Sequence, residues 1–297
     1  MKMKSQLLWL VASTISTGAA NPIKRASDTT YFFTFGDSYS QTGFSTSGEQ
    51  PSASNPMGNP VLGTGTTAGG VNWVGYLTTA ENTSLVLSYD LAVGGATING
   101  SLVGSTANDL VGQVRTFDAT YSSKPASAPW TSEDAVLAFW IGINDIGNAY
   151  YRTNASTFVP QLIGRLEDLA KDIYSSGGRK FFFVNVPPIN RTPMFIQQGD
   201  WAIEHSAAYL AVYNQQLATM VERFKSSNTG VTAVLYDSWS FMTKVLDYPT
   251  NYGFPDATCI NEDGISCVWW NDYHPGTKYH QLQAQDMKAS LAPLGSW

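Results

Sequence analysis

An α/β fold, with a parallel sheet covered on both faces by helices, is predicted by three features of the sequence. Five short apolar runs have the length of buried strands. Stripes of apolar residues at helical spacing alternate with them, which is the pattern of parallel strands joined by crossover helices. The glycine-rich and polar clusters follow the apolar runs, where open parallel sheets place their ligand sites.

Taken in order, the chain begins with Lys2 and Lys4, a short apolar run over residues 7–11 and small residues ending in Gly18-Ala19-Ala20. This is the layout of a secretory signal peptide, with cleavage expected after Ala20 and a possible second processing site at the dibasic Lys24-Arg25. The run is too short to span a bilayer, so no membrane partner is expected. Residues 31–35 read as the first strand and lead straight into Gly36-Asp37-Ser38. Residues 40–70 are rich in Ser, Thr, Gly, Pro and Asn and carry a single charge, Glu49. A loop of roughly thirty residues in a compact domain is often functional, and this one follows Ser38, so it is expected to border the site. Further strands are expected over 84–93, ending at Gly94-Gly95, over 135–143, over 180–186, stopped by Pro187-Pro188, and over 232–236. Phe158, Leu162, Leu166, Leu169 and Ile173 mark one helix, Tyr209, Val212, Leu217, Met220 and Phe224 another, and a last helix is expected from Thr277 to Leu291. With no internal repeat or linker, residues 26–297 read as one domain.

Composition narrows the function. Hydrophobic residues make up 43% of the 297 and charged residues 13%, enough apolar material for a sizeable core. A net charge of -6 without Lys/Arg clusters argues against nucleic acid. The 9 Trp and 15 Tyr belong mostly to the core, although a few exposed rings would suit sugars. Sequons at Asn82, Asn99, Asn154 and Asn190 fit a glycosylated extracellular protein. In an oxidising compartment the only two cysteines, Cys259 and Cys267, are expected to form one disulfide. They are too few soft ligands for a metal site.

Four clusters stand at strand ends: Gly36-Asp37-Ser38, Gly94-Gly95, Gly142-Ile143-Asn144-Asp145, and Asp272-Tyr273-His274-Pro275. Each alone has an ordinary explanation as a turn or cap; together they supply an acyl-transfer site. A serine nucleophile needs a base. Of the three histidines, His205 and His280 fall in helical stretches and His274 in a loop, which selects His274. Asp272, two residues earlier, can orient it and stabilise the imidazolium. The N–H groups of Ser38 and Gly94 and the Asn144 amide can hold the oxyanion. Asp37 and Asp145 read as structural support. The second glycine of a Gly-x-Ser-x-Gly elbow is missing, which excludes an α/β-hydrolase.

These blocks resemble, in order, those of the SGNH (GDSL) hydrolases: Ser38 in Gly-Asp-Ser, Gly94, Asn144 in Gly-x-Asn-Asp, and Asp272 and His274 before Pro275. The resemblance implies a flavodoxin-like three-layer α/β/α fold, a five-stranded parallel sheet and no cofactor. Residues 35–44 and 271–276 are further similar to fungal secreted acetyl esterases of carbohydrate esterase family 16. That similarity implies a secreted carboxylic-ester hydrolase acting on acetylated, hemicellulose-derived oligosaccharides. The chain departs from the family at one point. The usual Asp three residues before His is Asn271 here, and Asp272 is favoured as the acidic partner because a carboxylate stabilises imidazolium better than an amide, the alternative being that Asn271 or a backbone carbonyl orients His274 and Asp272 is structural. The alternatives are a lipase or phospholipase for longer acyl chains, and a non-catalytic carbohydrate-binding protein.

Overall fold

Five parallel strands form one sheet in the order β2-β1-β3-β4-β5. The computed structural model describes residues 29–297, so the leader expected over 1–20 and the dibasic Lys24-Arg25 lie outside the described residues. In chain order the elements are β1 (Thr29–Gly36), α1 (Trp73–Thr79), β2 (Leu85–Asp90), α2 (Gly100–Val103), α3 (Leu110–Thr120), β3 (Ala135–Trp140) and α4 (Ile143–Ala149). They continue with α5 (Ala155–Ser175), β4 (Lys180–Val184), α6 (Pro193–Gln198), α7 (Asp200–Ser227), β5 (Thr232–Tyr236), α8 (Ser238–Asp247) and α9 (Thr277–Leu291).

Adjacent residues of β1 point to opposite faces, and both faces are aromatic. Phe32 packs against Trp73 of α1 and against Trp297, while Phe33 packs against Phe117 of α3 and Trp130. Phe33 pairs in register with Leu137, and Leu137 with Phe181, whose ring meets Phe224 of α7. Helices α3, α5 and α7 therefore cover one face, and α1, α8 and α9 pack together on the other. Both layers are buried, and each large apolar side chain removed from water contributes roughly 1.5–3 kcal/mol.

All five expected strands are present, but three stop early. β2 ends at Asp90, β3 at Trp140 and β4 at Val184, so residues 91–93, 141–142 and 185–186 belong to the loops at the strand ends and Ile143 opens α4. At β3 the reason is Gly142. Its φ of 117° takes the chain out of the extended region, and a side chain there would collide with the Tyr213 ring. The pattern also understates α7, which starts at Asp200, nine residues ahead of the Tyr209 stripe.

The strand order reverses direction at β1: the chain moves to β2 on one side and then to β3 on the other. The crevice beyond the carboxyl ends of β1 and β3 is the topological switch point, the expected place for a site in this architecture. The 40–70 loop lies beside it. Asn72 accepts from Gly75 N–H to cap α1 and donates to the carbonyls of Ser40 and Gln41 at 2.7 and 2.9 Å, and Thr67 Oγ1 donates to the carbonyl of Ser38 at 2.6 Å. Among the described residues no helix is long and apolar enough to cross a membrane.

Candidate active site

Ser38 follows β1 by two residues, on a tight turn. Asp37 builds that turn: its Oδ1 accepts from Tyr39 N–H at 3.0 Å, and its carbonyl accepts from the N–H groups of Ser40 and Gln41 at 3.0 and 2.9 Å. Burial pushes the Asp37 carboxyl up to about 8, opposed by the Tyr39 N–H and reinforced by nearby Asp145. The end of β1 is clamped from the side. Buried Gln113 accepts from Gly36 N–H at 2.9 Å and donates to Gly36 C=O at 2.7 Å. A side chain on Gly36 would collide with the carbonyl of Trp140, so glycine lets β1 approach β3 closely here.

His274 Nε2 stands 2.8 Å from Ser38 Oγ, across 236 residues of sequence. Its Nδ1 is 3.1 Å from Asn271 Oδ1, and the same Oδ1 accepts from the N–H groups of Tyr273 and His274 at 2.9 and 2.7 Å. Backbone N–H groups only donate, so the atom they face must be the amide oxygen. An oxygen there requires His274 Nδ1 to carry the proton. Nε2 then holds the lone pair, facing the serine hydroxyl, which is the tautomer a general base needs. Burial holds the His274 pKa down at about 4, with the Asp272 charge working in the opposite direction. The imidazole is therefore neutral at pH 7.

The His274 loop is anchored at several points. Tyr39 donates its hydroxyl to the carbonyl of Tyr273 at 2.5 Å, so the residue after Ser38 holds the residue before His274. Trp270 N–H donates to the carbonyl of His274 at 2.8 Å. The Cys259–Cys267 disulfide, with a Cα–Cα distance of 5.2 Å, closes the segment that leads into the loop.

Residues 32–287 match the family of GDSL-like lipases and acylhydrolases. The chain belongs to that family. This GDSL hydrolase is 44% identical to an acetylesterase of Thermothelomyces thermophilus over 280 residues, covering 92% of each protein. It is 24% identical to an acetylesterase of Hypocrea jecorina, covering 84% of each. Its fold is shared with a lipolytic G-D-S-L family protein from Veillonella parvula, at a TM-score of 0.51 and 12% identity over 89% of this chain and all of that one. It is also shared with an acetylxylan esterase from Geobacillus stearothermophilus, at 0.50 and 14% over 90% and 94%.

Within this GDSL hydrolase the structure corrects one expectation. Asn271, not Asp272, meets His274 Nδ1. Asn271 Oδ1 caps two N–H groups of the turn and so points its amide along the ring. Asp272 is exposed, and its backbone carbonyl accepts from Met194 N–H of α6 at 2.8 Å. Its carboxylate reaches His274 only as a through-space charge.

The three oxyanion candidates differ in availability. Ser38 N–H has no acceptor among the described residues. Asn144, the second residue of α4, donates one amide hydrogen to the carbonyl of Ala96 at 2.9 Å and keeps the other. Gly94 N–H is taken by Gln41 Oε1, and Gln41 Nε2 in turn donates to the carbonyl of Gly65 at 3.2 Å. Gly94 can serve only when Gln41 swings aside; the N–H of the adjacent, exposed Gly95 has no acceptor among the described residues. Asp145 supports Asn144, with both carboxylate oxygens 3.1 Å from Ile98 N–H, and burial raises its pKa to about 7. Asn144 and Asp145 together tie α4 to the loop after β2. The contributions of Gln41, Gln113 and Tyr39 were not anticipated. Gln41 and Tyr39 lie within the motif around Ser38, but their partners are 24 to 234 residues away.

Proposed function

We propose that this chain is a secreted acetylesterase that removes acetyl groups from hemicellulose-derived oligosaccharides, with Ser38 as nucleophile and His274 as base. The observation that carries the reading is the 2.8 Å contact between Ser38 Oγ and the unprotonated Nε2 of His274. Acetyl esters are supported by the 44% identical acetylesterase relative. The oligosaccharide is supported by the resemblance of residues 35–44 and 271–276 to fungal secreted acetyl esterases.

Ser38 Oγ attacks the acetyl carbonyl carbon as its proton passes to His274 Nε2. The negative charge that develops on the carbonyl oxygen is held by Ser38 N–H, the free amide hydrogen of Asn144 and the Gly94-Gly95 turn, and each donor contributes about 3–4 kcal/mol at the transition state. Collapse breaks the ester C–O bond. The sugar alkoxide leaves with the proton from His274, and the acetyl group stays on Ser38. Water then gives a proton to Nε2 and attacks the acetyl carbon, which releases acetate and returns the proton to Ser38. Asn271 takes the orienting role first assigned to Asp272. Its Oδ1 keeps the proton on Nδ1 throughout.

The direct test is acetate release from acetylated xylo-oligosaccharides by the wild type and by Ser38→Ala. Release by the wild type, reduced roughly 10⁴- to 10⁶-fold in the variant, is expected. A folded wild type that releases no acetate from any ester would refute the reading.

Secretion is supported by the leader layout, the sequons and the disulfide, and the sequons are not equivalent. Asn154 is exposed and uses only Oδ1, capping α5 through Ser156, so its Nδ2 is free for a glycan. Asn82 uses Nδ2 to donate to the carbonyls of Thr78 and Leu77 at 2.5 and 3.4 Å. Glycopeptide mapping of the secreted protein is expected to find Asn154 modified and Asn82 bare, and an Asn154 free of glycan would count against export through a glycosylating pathway.

A further inference from the structure

A series of touching aromatic rings, passing through buried Phe195, runs outward from His274 to the surface. The Tyr273 ring meets His274 edge-on at 5.4 Å between centroids, Phe195 follows at 6.4 Å, Tyr150 at 5.5 Å, and Trp201 at 5.9 Å. Tyr151, beside Tyr150, is 55% exposed and Trp201 is 54% exposed, although most large aromatic side chains in this protein are fully buried. A second route ties this surface to the reaction centre. Helix α4 carries the oxyanion candidate Asn144 as its second residue and is capped at its far end by Tyr150, so one short helix of about 10 Å joins the two.

The exposed indole is also braced. His205, one turn further along α7, stacks on Trp201 with centroids 4.2 Å apart and planes 24° from parallel. Its Nδ1 lies 2.8 Å from the Trp201 carbonyl, which can only accept, so Nδ1 donates and the imidazole is fixed in place. One face of the indole is covered, and the side chain is held while much of it still faces water. Holding an exposed group in advance lowers the ordering cost of binding. Trp and Tyr each combine a flat apolar face with a polar edge. That combination suits a pyranose ring, whose C–H face can lie on the aromatic plane while its hydroxyls remain solvated.

We propose that Trp201, with Tyr150 and Tyr151, is a platform for sugar rings that binds the glycan part of the substrate while its acetyl group is at Ser38. The inference rests on the oligosaccharide reading above and adds the residues that would recognise the chain. A lipid acyl chain is the competing occupant; it could cover the apolar ring faces, but unlike a sugar it offers no hydroxyls to the phenol and indole edges.

The test compares Trp201→Ala and His205→Ala with the wild type on three substrates: an acetylated xylo-oligosaccharide, a small aryl acetate and a long-chain aryl ester. Trp201→Ala is expected to raise KM for the oligosaccharide roughly ten-fold with kcat nearly unchanged, since a contact remote from the reacting atoms is equally strong in ground and transition states. The small acetate should be hydrolysed as before. His205→Ala should give a smaller rise of the same kind. Calorimetry with a deacetylated xylo-oligosaccharide should show binding to the wild type that weakens in Trp201→Ala. Equal losses on all substrates, no change on any, or a loss confined to the long-chain ester would overturn the proposal. A wild type that cleaves the small acetate but no oligosaccharide would instead overturn the oligosaccharide reading on which it depends.

Discussion

The two halves of the reaction centre are held in different ways. Ser38 stands two residues past β1, in a turn built by Asp37 and clamped by Gln113, with strands on either side. His274 lies in the 253–276 stretch, where only isolated bridges such as Trp269 to Pro275 occur among the described residues. Its position is fixed by side chains: Asn271 on the ring, Tyr39 on the preceding carbonyl, and a disulfide further back. Ser38 is thus placed by the sheet and His274 by a few discrete contacts. Substitutions around His274 can shift its geometry without unfolding the domain, whereas the Ser38 turn shares its supports with the core.

The sharpest way to break that comparison is at the residue on Nδ1. Asn271→Ala is expected to cut kcat roughly 10²- to 10⁴-fold, because the imidazole loses the acceptor that fixes its tautomer and two backbone N–H groups lose their cap. Asp272→Ala should stay within a few-fold of wild type. Steady-state kinetics on a small acetate separates the two. A crippled Asp272→Ala beside a healthy Asn271→Ala would restore the acidic-partner assignment.

The pH profile sharpens the same point. With His274 held at about 4 by burial, kcat/KM is expected to be level through neutral and mildly acid pH. It should then fall about ten-fold per unit below pH 4, as Nε2 gains a proton and can no longer act as base. Asn271→Asp would put a carboxylate on Nδ1–H. A negative charge there favours imidazolium, raises the pKa and moves the acid limb to higher pH. An acid limb at pH 6 to 7 in the wild type would show that His274 is better solvated than its surroundings indicate.

How much of this was legible in the sequence follows the same division. The strands and Ser38 could be read directly, because apolar runs ending in small polar turns depend only on neighbours along the chain. The site's location at the ends of β1 and β3 followed from the alternating pattern. Asn271 and Asp272 are adjacent, and which one faces the ring depends on a turn whose cap is Asn271 itself. No periodicity reports that. The engagement of Gly94 by Gln41 joins positions 53 apart, and the grip of Tyr39 on Tyr273 joins positions 234 apart. Such contacts arise only when the fold brings distant loops together. The early ends of β2, β3 and β4 have a different cause. Residues such as Ile141 and Ile143 are apolar because they are buried in the core, Ile143 as the first residue of α4, so hydrophobicity runs on after the hydrogen-bonded ladder has stopped.

The smallest expected effect concerns the disulfide. Cys259 and Cys267 are 8 residues apart, and closing a loop of that size stabilises the folded state by about 2–3 kcal/mol in the chain-entropy account. The bond lies outside the sheet, in the segment where Asn261 N–H donates to the carbonyl of Trp269 at 2.9 Å and Trp269 bridges to Pro275 beside His274. Replacing both cysteines by serine should lower the thermal midpoint by several degrees. If the base depends on this segment, kcat should fall more steeply with temperature than the folded fraction does, because the His274 loop loosens before the sheet melts. Activity and circular dichroism followed through the same temperature ramp would show it. Coincident curves would mean that the side-chain contacts of Asn271 and Tyr39 hold the base without the disulfide, and would confine its role to global stability.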